Sequence, residues 1–305
     1  MRKFLLISTL VVLAVFATAC GGDDNTNNEG GMELEIGAQT YTDPKILAQM
    51  VKAVVEEETD HTVNITEDIQ ASPQIIQALD QGEFDIATLY SGEVYNNHFD
   101  EDKVEFTTDP DETIAQAQEL FGEKFGIKWY DTLGFQNKYG IAVKDSFAEE
   151  NGIETISDLE EHADELVIGT DTSWVEREND GYRAFQEAYG YEFKDVKGME
   201  VSLMYEGVEN GELDVITAYT VDPQILELDM RILEDDGDFF PPYSASLVSR
   251  EDLVSENEEI NEVLESFVGT IDEETMTGLI YEVDIEGKSP EEVAIGYLEE
   301  NGFLE

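Results

Sequence analysis

A single cysteine, Cys20, leaves no partner for an internal disulfide, so this chain must be held together by packing. The three histidines, His61, His98 and His162, are scattered without metal-ligand spacing. Neither a Ser/His/Asp order nor a glycine-rich phosphate loop stands out, and no catalytic site, metal or cofactor is expected. Basic residues number 16 against 72 acidic ones, a formal charge of −56 that excludes nucleic acid as a partner. No Pro/Gly/Ser linker divides the 305 residues, and one long apolar run, Phe4 to Ala19, stands at the start. That run is too short for a comfortable membrane span, which needs ~20 apolar residues.

What is present begins with an export signal. Arg2-Lys3 precedes the apolar run, which is interrupted only by Ser8, Thr9 and Thr18 and ends in Ala17-Thr18-Ala19-Cys20. Charged, apolar and small segments in this order read as a secretory signal over residues 1–19, with Cys20 as a lipid anchor. A lipobox usually has leucine three places before the cysteine, where Ala17 stands here. An ordinary cleaved signal with an incidental cysteine is the alternative. Against it, Gly21 to Gly31 holds no apolar residue, so residues 20–32 read as a flexible tether.

Loss of Arg2 and Lys3 with the signal leaves 14 basic residues against 72 acidic ones, a net −58. At 41% hydrophobic content, acids that punctuate apolar periodicities indicate a folded protein with a salt-adapted surface. At ~1 M salt the Debye length falls to ~3 Å and most of the self-repulsion is screened. A high external pH is the competing explanation. The mature chain, roughly 285 residues, suits two domains.

Strand-like and helical segments alternate, which predicts an α/β fold with largely parallel sheets. Strands are expected at Leu34 to Gly37, Val63 to Ile65, Phe84 to Ala87, Tyr139 to Val143, Leu166 to Gly169 and Asp214 to Ala218. Thr42-Asp43-Pro44 is expected to cap a helix with the stripe Ile46, Leu47, Met50, Val51 and Val54. Ser72-Pro73 opens a second helix, and Ser289 to Glu292 reads as a capping box. Gln81-Gly82-Glu83-Phe84-Asp85-Ile86-Ala87-Thr88-Leu89-Tyr90 lines up with Asn210-Gly211-Glu212-Leu213-Asp214-Val215-Ile216-Thr217-Ala218-Tyr219. Two such units, each delivering a tyrosine just past a strand's carboxyl end, suggest two lobes facing one cleft.

Taken in order, Ile36-Gly37 to Thr42, Gly82-Glu83-Phe84-Asp85 to Tyr90-Ser91-Gly92, Leu133 to Tyr139, Asp180-Gly181-Tyr182, Asp214 to Tyr219, Phe239-Phe240-Pro241-Pro242-Tyr243 and Val283 to Lys288 carry a resemblance over nearly the whole mature chain. The sequence resembles the substrate-binding proteins of osmoprotectant ABC importers for glycine betaine, choline and carnitine. The resemblance implies a two-lobed periplasmic-binding-protein (type II) fold, with two mixed sheets and a ligand cleft between lobes. Lobe 1 would hold residues 33–140 plus 243–305, and lobe 2 residues 141–242. It implies an extracytoplasmic monomer, lipid-anchored to the outer face of the cell membrane, that hands its ligand to an ABC permease and its ATPase.

The same resemblance implies a tyrosine box of Tyr90, Tyr139, Tyr219 and Tyr243 around a trimethylammonium head. A quaternary ammonium has no N–H to donate, so it is recognised by aromatic faces, ~2 kcal/mol or more each when desolvated. Asn137 matches a position that helps close the box, and Arg177 one that reaches a ligand carboxylate. Ser72 either offers its hydroxyl to the ligand or serves as an N-cap. Two departures weaken betaine specificity: Gln39 where carboxylate binders carry a basic residue, and Glu93 where threonine is common. Glu93 either faces the ligand, paired with Arg177 or selecting choline, or turns outward to water.

A same-fold binder of another small ligand such as ectoine is an alternative. Enzymes of this architecture, porphyrin-building deaminases and some thiaminases, use a cysteine, and Cys20 is spent on the anchor. An acidic calcium-binding surface protein is a further rival, because Glu234 to Asp238 is acid-rich, but the stretch lacks the EF-hand loop pattern. The anchor makes the first testable expectation. Cys20→Ala protein should leave the membrane fraction after signal cleavage while keeping its fold; retention in membranes contradicts the lipoprotein reading.

Overall fold

The computed structural model describes residues 31–96, 98–100, 102–177 and 181–304. The expected signal, Cys20, the tether up to residue 30 and Asp180 lie outside them. Among the described residues the strands are β1 (Glu33–Gln39), β2 (Thr62–Ile69), β3 (Ile86–Tyr90), β4 (Ile127–Trp129), β5 (Tyr139–Lys144), β6 (Val167–Asp171), β7 (Asp195–Met199), β8 (Val215–Tyr219), β9 (Met230–Ile232) and β10 (Ala245–Arg250). They form two five-stranded sheets, ordered β2-β1-β3-β10-β4 and β7-β6-β8-β5-β9. In each sheet the first three strands are parallel and the fourth runs antiparallel to both its neighbours.

The two sheets therefore share one topology, and the sequence repeat is its local cause. Gly82 and Gly211 both adopt φ 70°, which only a residue without Cβ strain takes readily, and each turns a helix into a strand. The helices are α2, counted after α1 (Thr42–Glu58) as Ser72–Asp80, and Val201–Glu209. The N–H of Glu83 donates to Ala78 and that of Glu212 to Gly207, both at 2.8 Å. Then the aspartate acts: Asp85 accepts the Glu35 N–H at 2.9 Å and Asp214 the Val167 N–H at 2.8 Å. Each carboxylate thus ties the incoming strand to the one already laid beside it.

These turns consume residues that periodicity assigned to strands. The strands expected from Phe84, Leu166 and Asp214 start at Ile86, Val167 and Val215 and run on to Tyr90, Asp171 and Tyr219. Tyr90 and Tyr219 are consequently the last residues of β3 and β8 rather than just past them. The α1 stripe is buried as expected, but the N-cap is Tyr41, not a Thr42-Asp43 cap. Thr42 instead donates to Asp284 at 2.7 Å. The capping box at Ser289 and Glu292 is present. β10, paired on both sides in its sheet, escaped the reading because its buried Ser246 and Ser249 break the apolar pattern.

The chain passes between sheets twice, from Trp129 to Tyr139 and from Ile232 to Ala245. The crossings pair with each other: Asn137 N–H donates to Tyr243 at 2.9 Å and Ala245 N–H to Phe135 at 3.0 Å. The acid-rich stretch within the second crossing has structural work, since Asp235 accepts the N–H groups of Phe239 and Phe240 at 3.0 and 2.9 Å. Asp214→Ala leaves the Val167 N–H without its partner and should lower stability by about 1–2 kcal/mol in urea unfolding at matched salt. Asp214→Asn, which keeps an acceptor, should lose less than half of that.

Candidate ligand-binding cleft

A cleft of about 530 Å³ opens where the carboxyl ends of β1, β3 and β8 meet the two crossings. That volume suits a small solute. Gln39, Ser72, Tyr90, Glu93, Asn137, Tyr139, Arg177, Tyr219 and Tyr243 all line it. The strand pairs explain the convergence of the tyrosines. Tyr139 opens β5 directly opposite Tyr219 at the end of β8, and Tyr90 ends β3 opposite Ala245, two residues after Tyr243.

The Tyr139 and Tyr219 rings stack with centroids 4.8 Å apart, and the Tyr219 hydroxyl donates to that of Tyr139 at 3.2 Å. Tyr41, which sequence reading missed, stands edge-on to Tyr219 at 6.3 Å on the rim. Tyr243 lies so close to Gly92 that a Cβ there would sit 2.3 Å from the ring, so this glycine makes room for the tyrosine. Arg177 follows the short helix Thr172–Glu176; its guanidinium carbon is 5.6 Å from the Tyr139 ring centre and an Nη donates to the Tyr243 hydroxyl at 3.4 Å.

Asp43 is the most consequential residue that the sequence reading left out of the site. It lies in the first turn of α1, 2% exposed, and accepts hydrogen bonds from the Tyr90 hydroxyl and, at 3.0 Å, from Asn137 Nδ2. Burial raises its pKa, and these two donors oppose the rise. Burial and the nearby Asp43 charge push the Tyr90 phenol well up, so Tyr90 remains the donor.

Glu93 does not turn outward. It belongs to the 3₁₀ turn Ser91–Tyr95 and is 4% exposed. Ser72, the first helical residue of α2 and not its cap, donates to Glu93 Oε1 at 2.5 Å, while Asn96 donates to Oε2 at 3.0 Å. Gln39 in turn donates to the Ser72 hydroxyl at 3.3 Å. The basic side chain beside Glu93 is not Arg177 but His98, whose Nε2 lies 3.4 Å from Oε2. Asp222 and Asp284 also line the cleft. Asp222 accepts the Tyr205 hydroxyl at 2.6 Å and the Tyr219 N–H at 3.0 Å. Among the described residues no group of three or more His, Cys, Asp or Glu is arranged to hold a metal ion.

Two matched mixed sheets, joined by two crossings with a cleft between, define a solute-binding protein of the type II periplasmic class. The chain belongs to the family described as the substrate-binding domain of ABC-type glycine betaine transport systems, whose profile matches residues 32–300. It is similar to the carnitine transport binding protein OpuCC of Listeria monocytogenes, 31% identical over 312 residues that cover 100% of this chain and 98% of that one. The ergothioneine transport permease/ergothioneine binding protein EgtU of Helicobacter pylori is 34% identical over 229 residues, 74% of this chain and 40% of that longer protein. A solved structure described as a glycine betaine/carnitine/choline ABC transporter superposes with a TM-score of 0.82 at 30% identity, covering 89% of this chain and 100% of that one. Members of this family bind solute outside the cytoplasm and work with a membrane permease; their role is not catalytic.

Burial pushes the pKa of Asp222 from 3.8 up to about 6, against the opposing bonds from Tyr205 and the Tyr219 backbone. The folded state therefore holds this proton more tightly than the unfolded chain. The resulting stability is fully present below about pH 4 and is lost as pH rises through about 6, a change of about 3 kcal/mol. Asp222→Asn keeps an acceptor oxygen, so it should gain up to about 3 kcal/mol on wild type at neutral pH and nothing below about pH 4. Urea unfolding across that range, at matched salt, measures the difference; a gap independent of pH contradicts it.

Proposed function

We propose that this chain captures a small quaternary-ammonium osmolyte, with the trimethylammonium head among Tyr90, Tyr139, Tyr219 and Tyr243, and that it prefers choline to glycine betaine. The observation that carries this reading is the lining of the cleft: those four rings together with four carboxylates, Asp43, Glu93, Asp222 and Asp284, against one guanidinium, Arg177. Aromatic faces and carboxylates both favour a cation, and the aromatic faces suit one that has no N–H to donate. Four faces at ~2 kcal/mol each supply the about 8 kcal/mol that micromolar capture needs.

The other end of the ligand decides between candidates. A betaine carboxylate ~4 Å from Glu93 is repelled by about 4 kcal/mol at an effective dielectric near 20, whereas a choline hydroxyl donates to it. Arg177 supports a second reading, in which the guanidinium turns to meet a ligand carboxylate and the preferred solute is a betaine such as carnitine. On either reading Cys20 tethers a monomer to the outer face of the cell membrane, and lobes 33–140 with 243–305 and 141–242 close over the ligand before delivery to permease and ATPase.

Calorimetry with choline, glycine betaine, carnitine and ergothioneine tests the choice. Tyr219→Ala should lose about 2 kcal/mol of choline binding, roughly thirtyfold, and Tyr219→Phe much less, because the ring face survives. Glu93→Thr should raise affinity for glycine betaine relative to choline. No loss from Tyr→Ala at any of the four tyrosines sinks the box, and an unchanged ratio in Glu93→Thr sinks the choline preference.

A further inference from the structure

Behind Glu93, on the side away from the ligand cleft, stands a histidine that the binding reading does not use. His98 is not among the residues lining the cleft, and its side chain is only 10% exposed. The ring is set against Phe99 at 6.3 Å and against Phe121 of α3 (Pro110–Phe125) at 5.7 Å, so solvent reaches little of it. Its Nε2 is buried without a well-directed hydrogen bond, yet lies 3.4 Å from Glu93 Oε2. Among the described residues the charged groups that face it are Glu93 from the 3₁₀ turn and Lys124 of α3, whose Nζ donates to the His98 carbonyl.

The geometry places a titratable ring against one oxygen of a carboxylate whose other oxygen, through Ser72, belongs to the cleft wall. Histidine is the side chain whose ordinary titration falls between pH 5 and 8. With the ring protonated, the pair is neutral and a ligand carboxylate meets little repulsion. With the ring neutral, Glu93 presents its full charge to the ligand. We infer that His98 is a positioning residue that sets the charge of the Glu93 subsite, and through it the selectivity between a hydroxylated cation and a carboxylated betaine as pH changes. This rests on the reading that Glu93 meets the non-ammonium end of the ligand.

The readout is a ratio, which isolates the effect. Asp43 bonds to Tyr90 and Asp222 to the Tyr219 backbone, on the tyrosine side of the cleft, and the His98 variants separate their titration from that of the ring. Calorimetry on the full chain at constant high salt should show this ratio rising about tenfold or more from about pH 5 to about pH 8. In His98→Gln, which keeps a donor but cannot gain charge, the ratio should stay at the high-pH value throughout. His98→Phe, which suits the surrounding phenylalanines, should behave likewise and provides a second variant should the first fail to fold. A flat wild-type ratio, or an unchanged rise in either folded variant, overturns the inference. Glu93→Gln separates the two readings: if it leaves the ratio unaltered at every pH, the Glu93 subsite fails and His98 with it. If Glu93→Gln lowers the choline preference while the wild-type ratio is flat, only the His98 inference falls.

Discussion

A carboxylate that is 2% exposed must find its hydrogen bonds inside the protein, and Asp43 finds them on two different parts of the chain. Tyr90 reaches it from the end of β3 and Asn137 from the first crossing between sheets. The first turn of α1, where a negative charge is favoured by the helix dipole, is thereby locked to both. The bond to Tyr90 holds the ring by its hydroxyl, and the bond to Asn137 fixes the backbone two residues before Tyr139. Removing either donor would leave a buried carboxylate short of a partner, which is more costly than losing an exposed pair. The placement of two of the four cleft tyrosines thus depends on one aspartate.

The remaining geometry follows from building the same sheet twice. In each copy a helix ends on a glycine, an aspartate ties the next strand to its neighbour, and the strand closes on a tyrosine. The antiparallel strand that follows in each sheet lies beside the crossing, so Tyr139 and Tyr243 arrive next to the strand-end tyrosines. Four aromatic residues converge because strand ends and crossings share one region, without any tyrosine needing a special loop.

Charge is used differently inside the cleft and outside it. Most of the acids among the described residues are at least partly exposed, where added salt would screen their mutual repulsion. The cleft carboxylates Asp43, Glu93 and Asp222 instead have named donors: Tyr90 and Asn137, Ser72 and Asn96, Tyr205 and the Tyr219 backbone. Held this way they remain acceptors in a place where water competes poorly, and a cation entering the cleft meets negative charge that cannot rotate away.

Local chemistry was legible from the residues in order. Apolar stripes marked α1 and the core, the Ser289 capping box marked a helix start, and the Gly-Glu-apolar-Asp repeat with its terminal tyrosines marked two matched α/β units. These signals depend on neighbours within a few positions, which is why they survive in one dimension. Strand starts were misplaced because Phe84-Asp85 and Leu213-Asp214 look like strand but serve the turn, and β10 was missed because buried serines read as loop. Asp43 read as a helix cap and His98 as a stray histidine. Only the folded chain decides otherwise, since Tyr90 and Asn137 reach Asp43 across 47 and 94 positions, and a carboxylate's partners in a buried site are set by which strands and crossings are brought together.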